Sequence, residues 1–189
     1  YAYSGRGGAS GQRGVSRSMT VRNVSRPELL DSDGGDVTFR GMIYDLLAVG
    51  ARLQEVRDGL AAEIGVTGPQ YATLMAIAHL QKTPPGPGVR AVARRLNVSG
   101  PFVTAQSRFL VNQGLVKKKP NPSDGRGVWL RLTEEGQRRI ARAAMTAQKA
   151  NDDFFSSLDN VHFLILSDIA ARLEKSSAKA VKNFSPEMY

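Results

Sequence analysis

A mainly helical fold with one small β-hairpin is what this sequence predicts. Three observations carry that expectation. Apolar residues recur at helical spacing through most of the chain after residue 36. Two β-prone runs, LVKKKP and VWLRL, flank a turn-forming NPSDGRG segment. Nearly all of the net charge falls on the stretch that contains this hairpin.

Residues 1–36 are rich in Gly, Ser and Arg and show no sustained periodicity, which reads as a flexible tail. Met19 would suit a native start, with the preceding residues vector-derived. The five positive charges of this tail precede Pro27 and its four negative ones follow it, so a basic arm touching phosphates is the other reading. From about Phe39 to Ile64, the spacing of Ile43, Leu46, Leu47, Leu53, Val56 and Leu60 predicts a long helix. IGVTGPQ interrupts it: Thr67 suits an N-cap and Pro69 the first turn of a second helix over about 68–81. KTPPGPG is a loop, because its prolines and glycines cannot continue a helix. A short helix follows from Val89 to about Leu96, then a tight turn at Asn97 and Val98. Ser99 caps the next helix, Pro101 sits in its first turn, and Gly114 stops it after about Gln113. In the second hairpin strand Val128, Leu130 and Leu132 share one face, with Trp129 and Arg131 on the other. Thr133 caps a helix expected to reach about Phe155, with Glu134 and Glu135 near its positive end. A final helix, about 159–182, carries Val161, Leu164, Ile165, Ile169 and Leu173.

Composition removes several function classes. Apolar residues make up 41% of the 189, enough for a core. The absence of Cys excludes disulfides, thiolate zinc sites and thiol redox sensing. Only His79 and His162 are present, so no metal centre or cofactor is expected. No run approaches the roughly 18–20 apolar residues of a membrane span, and the first residues lack an apolar secretory core. A soluble cytoplasmic protein without a membrane role follows as the expectation. Phosphate-binding loops, G-x-S-x-G and H-E-x-x-H are missing. Asp152-Asp153 and Glu134-Glu135 read as exposed helix charges, so an enzyme is not expected.

The formal charge is +9. Residues 1–36, 37–87 and 132–189 contribute only +1, zero and zero. Residues 88–131 hold nine Lys and Arg against Asp124 alone, a net of +8. That same stretch reads as short helix, turn, second helix, hairpin, which is the layout of a winged helix-turn-helix. Its second helix fits a major groove, and the hairpin can reach phosphates or the minor groove. The competing reading is a merely soluble basic face.

These residues also resemble the MarR family of transcription regulators. The resemblance rests on Ala93, Val98-Ser99, Leu110 with Gly114-Leu115-Val116, Asp124-x-Arg126 and Leu132-Thr133 with Gly136. It extends in element order over about 37–182. It departs from the family pattern at Gly100 and Ala105, where relatives often carry Arg, and at Phe102. The resemblance implies that Arg126 reaches the minor groove from the wing tip, held by Asp124; an ordinary surface ion pair is the alternative. Along the recognition helix, Ser99, Pro101, Thr104, Gln106 and Arg108 are candidate DNA contacts, some facing bases and some phosphates or solvent. Lys117 and Lys119 are candidate phosphate contacts.

The family match further implies a homodimer that reads a pseudo-palindrome in double-stranded DNA. Its expected parts are a tail at 1–36, a dimerisation helix at 37–67, a winged DNA-binding domain at 68–133 and C-terminal dimerisation helices at 134–189. A last helix buried within its own chain is the alternative to dimerisation. Many members release DNA when a small aromatic or phenolic acid binds. Candidate effector contacts here are Tyr44, Arg52, Tyr71 and His79, each with a plainer reading as core, solvated or helix-end residue. The expected function is a regulator, with repression the simpler mode. The alternative is a winged-helix protein for non-specific DNA binding or assembly, without an effector.

Overall fold

The computed structural model describes residues 21–121 and 124–184, and the chain divides between Ala51 and Arg52 into two units. In the first unit, residues 21–36 depart from the expected unstructured tail. A 3-10 turn spans Pro27–Leu29, and two aspartates tie the segment to the start of helix α1 (Val37–Ile64). Asp31 Oδ2 accepts from the Val37 N–H at 2.7 Å, satisfying a donor that the helix itself leaves open. The Asp36 carboxylate accepts from the Asn23 N–H at 2.6 Å and pairs with Arg40. Those bonds, the Asn23 N–H first, hold its carboxyl below the usual range. Periodicity did not predict this segment because its order comes from side-chain caps. Residues 1–20, the rest of the expected tail, lie outside the described residues.

The second unit is built on a three-helix core and a hairpin. Helix α2 (Gly68–Leu80) places Leu74 and Ile77 at its centre, both fully buried. Around them pack Leu60 and Ile64 from the end of α1, Val92 from α3 (Val89–Leu96) and Val103 and Leu110 from α4 (Gly100–Asn112). Removing either central side chain to Ala costs about 2–5 kcal/mol by lost transfer energy and cavity formation. Buried polar atoms are satisfied locally: Thr73 Oγ1 donates to the Pro69 carbonyl and Ser107 Oγ to that of Thr104.

Element ends follow from local chemistry. Asn97 stops α3 in the left-handed conformation, φ 53°, which Asn tolerates better than most residues. Ser99 caps α4 by accepting from the Phe102 N–H. At the other end Gly114, φ +71°, lets the Leu115 N–H reach the Leu110 carbonyl at 2.9 Å, a Schellman closure.

Strands β1 (Val116–Asn121) and β2 (Asp124–Leu132) pair antiparallel, Val116 opposite Leu132 and Pro120 opposite Val128. The Pro-rich loop runs along the outer edge of β2 instead of hanging free. Its Pro87 carbonyl accepts from the Leu130 N–H at 2.8 Å, and Gly88 bridges to Trp129. Gln81 Oε1 takes the Leu132 N–H at 2.8 Å. The loop thereby covers a strand edge that would otherwise be open to pairing.

After β2 the chain departs from the single long helix expected over 133–155. Helix α5 (Glu134–Arg142) and helix α6 (Ala144–Phe154) are separated at Ala143, φ −80° and ψ −2°. No Gly or Pro marks the break. Ala143 is drawn into the core at 4% exposure, so tertiary packing sets the bend. Thr133 Oγ1 accepts from Gly136 and donates to the Gly114 carbonyl at 2.6 Å, joining α5 to the end of α4. A Cβ at Gly136 would lie 2.2 Å from the Leu115 carbonyl oxygen, which is why a glycine stands there. Helix α7 (Asn160–Phe184) has no buried residue among those described.

Candidate nucleic-acid interface

Helices α3 and α4 and the hairpin together wall a groove of about 1070 Å³. From α3 it takes Arg90 and Arg94; from α4 Thr104, Ala105 and Arg108; from the hairpin Lys118 and Trp129. Among the described residues, four cations line it and no carboxylate does. None of the four has a carboxylate partner among the described residues. Like charges gathered without counter-charges repel, so such a groove is suited to an anion that fills it.

Helix α4 is oriented by its buried stripe. Val103, Ser107 and Leu110 face the core, which turns Thr104, Ala105 and Arg108 outward into the groove. Of the sequence candidates, Pro101, Thr104 and Arg108 therefore meet in one concave surface. Gln106 is half-buried and outside it. Ser99 spends its hydroxyl oxygen on the helix cap. Of the three hairpin lysines, Lys118 lines the groove, whereas Lys117 and Lys119 alternate to the other side of the strand and are exposed. Arg90, Arg94 and Trp129 are groove residues that were not singled out as sites from sequence. The charge block held the signal for the two arginines; Trp129 had none. Asp124 and Arg126 start β2, and their side chains lie outside the described ones.

A second groove, about 460 Å³, lies within the same unit. Leu53, Val56 and Leu60 give it an apolar wall, and Arg57, Tyr71, His79 and Arg95 give it polar groups. Burial pushes the Tyr71 phenol up, with Arg57 pulling weakly the other way, so it stays a hydroxyl donor at neutral pH. Arg52 is exposed and outside this groove, and Tyr44 is an exposed residue of the first unit. Arg57 and Arg95 are the cations sequence reading missed. Helix α3 thus serves both grooves, Arg94 lining the first and Arg95 the second.

A two-helix reader with an adjoining hairpin and a cationic groove defines a winged helix-turn-helix DNA-binding protein. Comparison with known proteins agrees. A model of the MarR family matches residues 64–127. The chain is similar to the HTH-type transcriptional regulator YhbI of Bacillus subtilis, 24% identical over 147 residues, 78% of this chain and 93% of that one. It is also similar to the PcaV transcriptional regulator of Streptomyces coelicolor, solved in complex with its natural ligand, at 28% identity and a TM-score of 0.54. That match covers 68% of this chain and 91% of PcaV. The S. aureus MepR–DNA complex shares the fold at 18% identity, TM-score 0.59, over 70% and 95% of the two chains. Residues 64–127 thus match the MarR family, and the relatives that the chain resembles over most of its length are transcription regulators. No helix among the described residues is long and apolar enough to cross a membrane.

Proposed function

We propose that this protein acts in the cytoplasm as a homodimeric repressor that binds a pseudo-palindromic operator and leaves it when a small aromatic acid, or its thioester, binds. The observation that carries the DNA reading is the groove around α4, with four cations and no acid among its described residues. Arg90, Arg94 and Lys118 take phosphates, while the outward face of α4 meets base edges. Arg126 at the wing tip takes the minor groove, where a narrow, electronegative channel favours Arg.

Dimerisation is supported by uncovered apolar surface. Phe163, Leu164 and Ile165 on α7 are each more than half exposed. The first half of α1 exposes Leu47 at 65% and Tyr44 at 72%. Surfaces of this kind are covered in stable proteins, and a second copy supplies the cover here.

The effector reading rests on the smaller groove, whose volume suits a single ring with a short chain. Arg57 and Arg95 offer a carboxylate two cations, and Tyr71 and His79 offer hydrogen bonds to a ring hydroxyl.

Fluorescence anisotropy against the DNA upstream of the gene, with a scrambled duplex as control and two salt concentrations, tests the proposal. The expected result is upstream binding at least ~10³-fold tighter than scramble. Equal binding of both duplexes, with steep loss in salt, identifies a non-specific phosphate binder instead. Titration with hydroxybenzoates in the same cell tests release.

A further inference from the structure

The outward stripe of α4 is chemically poor. Gly100, Pro101, Thr104, Ala105 and Arg108 are all that the helix gives to the groove. Reading adenine by a bidentate pair needs Asn or Gln, and accepting from cytosine needs Asp or Glu. The stripe holds none of these. Gln106 faces elsewhere and is half-buried, and Asn112 lies a turn further on, outside the groove. Thr104 Oγ1 donates to the Gly100 carbonyl at 3.0 Å. With that proton engaged in the helix, Thr104 has its methyl group and the accepting lone pairs of its oxygen left for a base. Ala105 offers another methyl. Arg108 is the one long donor that α4 gives to the groove, exposed and without a carboxylate partner among the described residues.

Each of these groups has a matching base edge. Arg pairs bidentately with O6 and N7 of guanine, and small apolar groups pack on the thymine 5-methyl. Thr104 and Ala105 precede Arg108 by four and three residues, which is one turn, about 5 Å along the axis. Base pairs are stacked about 3.4 Å apart, so these methyls fall within about two base pairs of the guanine.

We propose that each operator half-site is read through one guanine bound by Arg108 and through neighbouring thymine methyls packed on Thr104 and Ala105. The groove's α3 arginines and Lys118 then position the protein on phosphates. This inference rests on the DNA-regulator reading above.

The test uses the full chain. Duplexes with a randomised centre are selected for binding, and the enriched site is remade with 7-deazaguanine at each guanine and uracil at each thymine. Anisotropy is measured for the wild type, Arg108→Ala and Ala105→Gly. One guanine per half-site should lose about 5- to 150-fold affinity on deaza substitution in the wild type, and under twofold in Arg108→Ala. Uracil within two base pairs of it should cost a few-fold, and less in Ala105→Gly. An enriched palindrome whose selectivity survives Arg108→Ala, or which contains no sensitive guanine, overturns the inference while the regulator reading stands. Failure to enrich any motif overturns both. Because Arg108 is exposed, its variant folds, and thermal melting checks that directly.

Discussion

Two arginine-rich helices of this protein use their charges in opposite ways. On α5, Glu135 collects Arg138 at 3.0 Å, Arg139 at 2.8 Å and Arg142 at 3.6 Å. Arg139 also donates to the Ile64 carbonyl at 3.3 Å, tying α5 to the end of α1. On α3, Arg90 and Arg94 have no such partner among the described residues and line a groove whose described residues include no acid. The difference teaches that a count of arginines on a helix does not by itself mark a nucleic-acid surface; whether acids pair with them decides. A cation already paired serves the fold; a cation left unpaired in a concavity serves a ligand.

The largest expected effect breaks the comparison directly. Arg90→Glu with Arg94→Glu should weaken DNA binding more than about 100-fold and flatten the salt dependence by about two phosphate contacts. Arg138→Glu with Arg142→Glu should change affinity by less than about threefold, since those charges are outside the groove. Equal losses from the two pairs, measured by anisotropy, would show that binding follows net charge alone.

An intermediate effect concerns how α5 is seated. Gly136→Ala drives a methyl against the Leu115 carbonyl oxygen, and urea unfolding should register a loss of about 2 kcal/mol or more, within the range of overpacked sites. A variant as stable as the wild type would mean that α5 shifts freely, and the paired cluster could not then be a fixed strut.

The smallest effect sharpens the role of Glu135. The hydrogen bond from Arg139, then the charge of Arg138, hold its carboxyl below the usual range. A depressed carboxylate stabilises the fold above its unfolded value and loses that stabilisation as pH falls. The wild type should therefore melt slightly above Glu135→Gln at pH 7, the gap closing below about pH 4. A gap that persists at pH 3 would assign the effect to packing. DNA affinity should be alike in both proteins at pH 7.

Much of the architecture was legible in sequence where the determinants are local. Ser99, Thr133 and Gly114 mark their helix ends through their own hydrogen bonds and backbone conformation. The hairpin was legible from two β-prone runs around the NPSDGRG turn. The break at Ala143 was not, because ARAAM carries no breaker and the bend comes from burial in a distant core. The aspartate-capped turn before α1 was missed for a related reason: its order depends on Asp31 and Asp36 folding back onto backbone N–H groups. Site residues were legible as a block and not one by one. Arg108 and Gln106 differ by two positions, yet only the helix rotation fixed by Val103, Ser107 and Leu110 separates groove from flank. The same holds for Arg52 and Arg57 on α1, and for Lys118 between its two neighbours.

Helix α3 is only eight residues long, and its consecutive Arg94 and Arg95 line separate grooves. A rod of two turns has little room to bend, so a displacement felt at one side is felt at the other. Thermodynamic reciprocity then sets a rule for any small molecule that acts through it: whatever factor it takes from the affinity for DNA, DNA takes from its own. Protein seated on a promoter is accordingly the less sensitive detector of that molecule, and free protein the more sensitive one. For such a molecule, the threshold for release would depend on how many target sites the cell holds, as well as on the chemistry of the groove.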